Sequence, residues 1–377
     1  MLQLPQSDAD RRACLLIARA PSLHADHFEP LFRRGASLTD IVALPPDELA
    51  QFALPPLALR WLRSPDSQQL DSDLLWLERS GVSLVAFGAN DYPPALEHID
   101  APPLVLYVRG DPAVLRTTQL AVVGSRNPTA QGIETATRFA GELVQSGLVI
   151  TSGLALGIDA AAHQGALNAG GATIAVCGTG LDAVYPAVHE ALAERIATNG
   201  GALVSEFPPG TDPHRRNFPR RNRVISGLAR ATLVVEAAHA SGSLITARLA
   251  GAQGREVFVI PGSIYNPLAH SCHQLVRRGM AELVTSPAEI LADLKLPFQK
   301  QPVTQIRKSA NPPSGLADGM DKEYEILLDA LGFEPASIDA LVDRTGLPGE
   351  QIASLLLIFE LEGRVEPQPG GHYCRLS

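Results

Sequence analysis

From Gln119 onward the chain alternates short apolar runs with amphipathic stretches, and few folds satisfy that pattern. QLAVVG, LVITSG, ATIAVCG, ALVSE, ATLVVEA and EVFVIPG follow one another, each separated from the next by a segment of helical periodicity. The runs are apolar at successive rather than alternate positions, so both faces of each strand require cover, and the intervening helices supply it. The expected fold is α/β, a Rossmann-like parallel sheet with helices on both faces. Helices are expected to end at Gly147 and near Gly170, and to occupy 187–199, 220–229 and 243–253. Nearly every strand closes on Gly, Ser or Thr, and in such sheets ligands bind beyond the carboxyl ends of the strands.

The flanking segments differ in character. Residues 8–75 read as short proline-broken helices, with Ser22, Ser37 and Pro46 near helix starts. Strand-like VSLVAF (82–87) and LVLYVRG (104–110) enclose a turn-rich stretch. The Pro/Ser/Gln-rich residues after 296 lack periodicity and read as a linker. Three helical segments and a hairpin around Pro-Gly-Gly then give the winged-helix pattern. The expected division is an N-terminal helical domain (1–75), a Rossmann-like domain (76–295), a linker (296–320) and a winged-helix domain (321–377). The four cysteines are far apart with no C-x-x-C pair, which argues against a disulfide framework or a zinc site. The N-terminus lacks a basic and apolar leader, and no run of about 18 apolar residues occurs. No metal, no cofactor, no membrane and a cytoplasmic setting are therefore expected.

Charge narrows the function. The net charge is −9, yet HRRNFPRRNRVISGLAR (214–230) carries six arginines and no acid. The four lysines all lie beyond position 290, so an anion site before it must use Arg, backbone N–H groups or helix termini. GSRNPTAQG (124–132) opens a helix with Gly124, Ser125 and Arg126, a combination suited to phosphate or, equally, to a tight turn. SGLALGIDAAAH (152–163) repeats the device with Gly153. Its Asp159 and His163, at i,i+4, suit either an acid–base pair or, the preferred reading, a bond that fixes the loop. ASGSLITARLAG (240–251) is the third such turn, with Ser241, Gly242 and Ser243. In the basic stretch Phe218 stands between arginine pairs, an arrangement that suits single-stranded nucleic acid or a solvated helix start.

These motifs, with FPRRNRVISGL (218–228), GTGLDAVYP (178–186), SEFPPG (205–210), VVEA (234–237), VFVIPGS (257–263), YPPAL (92–96) and PPLVLYVRGD (102–111), resemble in order and spacing the DNA processing protein A (DprA/Smf) family. The resemblance covers roughly residues 80–290, and a SAM-like helical N-terminus and a winged-helix tail fit the family's arrangement. It implies a non-catalytic protein that binds and protects single-stranded DNA during natural transformation, helps load RecA, and acts as a homodimer through the Rossmann-like domain. It implies a DNA site at Gly124, Ser125, Arg126, Gly153, Arg215 and Phe218, with Ser241, Gly242 and Ser243 on the same edge. Arg220 and Arg223 are expected contacts, one of them alternatively a brace for Glu236 or Glu206. The competing expectation is a nucleotide-processing enzyme of the related phosphoribohydrolase type. That chemistry uses a glutamate in P-G-G-x-G-T-x-x-E, and PGSIYNPLAHS here lacks it. Residues 321–377 hold 11 acids against four basic residues, and 349–363 has no Arg or Lys, so the winged helix is expected to contact protein rather than a DNA groove.

Overall fold

The computed structural model describes residues 7–239, 241–296, 319–332, 335–362, 364–368 and 370–375. The linker expected over 296–320 lies almost wholly outside them. The main sheet is built from β1 (Val82–Ala86), β2 (Val105–Gly110), β3 (Gln119–Val123), β4 (Val149–Ser152), β5 (Thr173–Cys177), β6 (Ala202–Ser205), β7 (Ala231–Val234), β8 (Glu256–Val259) and β9 (Glu282–Leu283). Their spatial order is β1-β2-β6-β5-β4-β3-β7-β8-β9. Neighbours from β6 through β9 are parallel. β1 and β2 pair antiparallel, and β2 pairs antiparallel with β6. The two strands preceding Gln119 are thus an extension of the sheet, which local patterning does not reveal because their partner lies about a hundred residues downstream.

The apolar runs bury both faces, as expected for a doubly covered sheet. Leu120, Val122, Leu233 and Val235 pack with Ala136, Phe139 and Leu143 of the Ala130–Gln145 helix and Ala162 and Ala166 of the Ile158–Asn168 helix. Ala121, Val123 and Val234 point the other way, into a core with Val224, Ile225 and Leu228 of the Asn217–Leu228 helix and Ala247 and Ala250 of the Gly242–Ala252 helix. Each fully buried Leu, Val or Phe contributes about 1.5–3 kcal/mol of apolar transfer. The N-terminal helices share a core with the β1–β2 end of the sheet, where Leu15, Phe28 and Leu77 meet Leu84 and Tyr107. The Ser67–Ser80 helix runs across position 75.

The chain runs from β3 through β6 in one direction and then crosses to β7 on the other side of β3. Between β3 and β7, therefore, successive crossovers diverge and open a crevice at the carboxyl edge. The winged-helix unit comprises helices Gly319–Leu331, Ile338–Thr345 and Gly349–Leu361 and strands β10 (Ala336–Ser337), β11 (Val365–Gln368) and β12 (His372–Arg375), ordered β10-β12-β11. Leu327, Leu341, Ile352, Leu356 and Phe359 form its core. Arg344 reaches Glu134 of the Ala130–Gln145 helix at 3.3 Å.

Candidate nucleic-acid interface

The crevice at the β3–β7 switch encloses about 850 Å3. Gly124, Ser125, Arg126, Arg215, Phe218, Ser241, Gly242 and Ser243 all line it. Gly124 is required by packing, since a Cβ there would lie 2.6 Å from Ile158 Cγ1 and 2.9 Å from the Glu236 carbonyl oxygen. Ser125 is buried, and its Oγ accepts from the Asn127 N–H at 3.1 Å, which folds the loop so that Arg126 projects into solvent. The Arg126 guanidinium carbon lies 5.6 Å from the Phe218 ring centroid. Arg215, also in the lining, is exposed. Among the described residues, no carboxylate pairs with Arg126, Arg215 or Arg216.

The three Gly/Ser turns do not serve the crevice equally. At the Ala130–Gln145 helix, Glu236 accepts from the Thr129 N–H at 2.9 Å and from Thr129 Oγ1 at 2.8 Å, while Thr129 Oγ1 caps the helix at Gly132. A Cβ on Gly132 would sit 2.5 Å from the Glu236 carboxylate. The positive end of that helix is therefore already answered by a protein anion. At the Ile158–Asn168 helix, Asp159 accepts from the N–H groups of Gly153 and Ala155 at 3.1 and 3.3 Å. Burial pushes its carboxyl up from the ordinary range, and the Arg221 guanidinium and those N–H groups pull it back. Of these three helix starts, only the one at Ser241–Ser243 has no carboxylate bonded to it among the described residues. The Ser241 hydroxyl there meets Ser243 Oγ at 2.6 Å instead of capping the backbone.

The arginine-rich stretch divides by role. The Asn217–Leu228 helix begins three residues earlier than its pattern suggests, which lifts Phe218 onto the helix. Arg220 forms two hydrogen bonds to Glu206, at 3.2 and 2.9 Å, and Arg223 binds the same carboxylate. Both arginines brace Glu206, and neither lines the crevice; Glu236 pairs with neither. Arg221, which the sequence did not single out, is buried and donates to the carbonyl oxygens of Gly153, at 2.6 Å, and Val176. A Cβ on Gly153 would fall 2.1 Å from the Arg221 guanidinium, so Gly153 makes room for an arginine rather than lining the crevice. Arg230 faces a separate cleft with Arg255 and Lys295. Helical spacing cannot separate these roles, because Arg220, Arg221 and Arg223 differ only in which tertiary neighbour each meets.

Asp159 and His163 do not form an acid–base pair. Thr173 Oγ1 donates to the Ile150 carbonyl at 2.6 Å, so its lone pair accepts the His163 Nδ1–H at 2.7 Å. Nε2 is then a buried acceptor without a partner. Burial, aided by His189 and Arg221, pushes the imidazole down to about 3 and holds it neutral.

The family model for DNA recombination-mediator protein A matches residues 83–295, and that for the DprA winged helix domain matches residues 309–371. The chain belongs to the DNA recombination-mediator protein A family. Protein Smf of Escherichia coli is 42% identical over 319 residues, 85% of this chain and 84% of that protein. DNA processing protein DprA of Streptococcus pneumoniae is 46% identical over 204 residues, 54% of this chain and 71% of that protein. The X-ray structure of the pneumococcal DprA aligns with TM-score 0.66 and 34% identity, covering 78% of this chain and all of that one. A structure of DNA processing protein A from Helicobacter pylori, described for its single-stranded DNA binding mode, aligns with TM-score 0.52 and 30% identity over 57% of this chain and 95% of that one.

The winged helix presents an apolar surface with flanking acids. On the Gly349–Leu361 helix the exposed positions include Glu350, Ala353, Leu357, Ile358 and Leu361, with Leu361 81% exposed. Those positions form one stripe at i, i+3, i+7, i+8 and i+11, free of cations and, after Glu350, apolar. Among the described residues, no helix is long and apolar enough to cross a membrane, and no cluster of His, Cys, Asp and Glu could hold a metal ion.

Proposed function

We propose that the chain is a non-catalytic recombination mediator that binds single-stranded DNA in the β3–β7 crevice. The observation that carries this reading is the pairing of Arg126 and Arg215, neither held by a carboxylate, with the Phe218 ring in one open cleft. Guanidinium groups hold successive phosphates while the ring takes an unstacked base. The Gly124–Ser125–Arg126 loop and the open helix start at Ser241–Ser243 supply further donors. Arg220, Arg223 and Gly153 support the site from behind.

Family membership supports the remaining parts of the reading, namely a cytoplasmic protein that protects incoming DNA during natural transformation and helps load RecA. A homodimer through the Rossmann-like domain belongs to it too, and Met280 and Leu283 are exposed at the β9 edge of the sheet. The exposed surface of residues 349–362, with its apolar stripe and with Glu350, Glu360 and Glu362 but no cation, favours a protein partner over a DNA groove, because glutamates there repel phosphates.

The deciding experiment titrates fluorescent oligo-dT and a duplex of equal length with the full chain at several salt concentrations. Tighter binding of the single strand is expected, with log K falling linearly in log salt. No binding of oligo-dT at low salt overturns the proposal, and release of free base from nucleoside monophosphates would instead make the chain an enzyme.

A further inference from the structure

Phe218 is the ring that sequence points to for base stacking, but its surroundings are largely taken. The chain passes against it at Gly178, where a Cβ would lie 3.0 Å from the ring. The guanidinium carbons of Arg126 and Arg221 stand 5.6 and 5.9 Å from its centroid. A second ring, Tyr185, lines the same crevice with its centroid 5.8 Å from that of Phe218 and its plane tilted by 40°. Tyr185 is 46% exposed. His189 Nδ1 lies 2.8 Å from the Leu154 carbonyl oxygen, which ties the segment carrying Tyr185 to the turn after β4. Each tied segment leaves a large apolar side chain in water, Leu156 at 45% and Val188 at 73% exposure. Apolar side chains exposed on both of these bonded segments offer contact surface near the cationic cleft.

We infer that Tyr185, flanked by Leu156 and Val188, forms a nucleobase subsite beside the phosphate-binding crevice. The inference rests on the single-stranded DNA reading above and assigns the base-stacking role to a residue outside that reading. Arg126, Arg215 and the Ser241–Ser243 turn hold the backbone and fix its register. A base rotated out of the strand then lies on the Tyr185 ring, with the two aliphatic side chains at its edge. Stacking of this kind accepts any base, since each has a π-face, so the subsite adds affinity without sequence preference.

The test compares oligo-dT with an equally long oligonucleotide of abasic tetrahydrofuran units, by anisotropy with the full chain. Tyr185→Ala is expected to weaken dT binding roughly tenfold, whereas Tyr185→Phe retains it. Neither variant changes the weaker binding of the abasic strand. Equal dT affinity in Tyr185→Ala overturns the subsite alone, as does an equal loss on both strands. Failure of the unsubstituted chain to bind dT overturns the parent reading and the subsite with it. Photocrosslinking of a 5-iodouracil oligonucleotide to the unsubstituted chain gives a check that no variant's folding can confuse. An adduct on Tyr185 is expected, and adducts exclusively elsewhere overturn the inference.

Discussion

Glu206→Gln tests whether the arginines next to the crevice belong to the fold or to the ligand. Glu206 places one negative charge between Arg220 and Arg223, with side-chain exposures of 7% for Glu206, 10% for Arg223 and 36% for Arg220. Removing one partner of a buried ion pair costs about 3–5 kcal/mol, because the remaining charge stays desolvated. Arg220 is more than a third exposed and can turn towards water, so the lower end, about 3 kcal/mol, applies here. For a domain of this size that corresponds to a melting temperature lower by about 6–12 °C. Circular dichroism melts, backed by urea unfolding, measure the change. Adding Arg223→Met to Glu206→Gln is expected to recover part of the loss, since the orphaned guanidinium is removed with its partner. Below the melt, oligo-dT affinity of Glu206→Gln should stay near that of the unsubstituted chain. A melting temperature within about 2 °C of the original refutes the structural assignment. Lost DNA affinity without lost stability would return both arginines to the DNA site.

Arg126→Ala and Arg215→Ala should each weaken oligo-dT binding, lower the salt slope by about one counterion's share, and leave the melt in place; unchanged affinity in both would move the DNA elsewhere. His163, held neutral with its imidazole at about 3, gives a pH dependence of known sign. The unfolded chain binds its proton below about pH 6.5 and the folded chain does not, so this contribution is complete above pH 6.5 and is lost as pH falls towards 3. From pH 7 to 5 the loss is about 2 kcal/mol, and His163→Leu should flatten urea-derived stability over that interval by one proton's worth. Deleting residues 297–377 should leave oligo-dT affinity largely intact by anisotropy, and its collapse would show that the winged helix holds DNA despite its charge.

The sequence by itself determined the parallel, doubly covered sheet, because strands buried on both faces must be apolar at every position and Val/Ile/Leu runs record that directly. It also placed Gly124, Ser125, Arg126, Arg215, Phe218 and Ser241–Ser243 on one edge, since the carboxyl ends of parallel strands share an edge whatever the strand order. Tertiary structure decided what each charged group faces. Glu236 fills the helix start where the GSR motif suits a phosphate, Glu206 takes Arg220 and Arg223, and Arg221 answers two carbonyl oxygens from inside the sheet's edge. None of these pairings leaves a periodic trace, because each joins residues brought together by crossovers rather than by local spacing. Tyr185 went unmarked for the same reason. Its significance lies in being an exposed ring 5.8 Å from another one, and that distance is set by the meeting of the loop after β5 with the helix after β6.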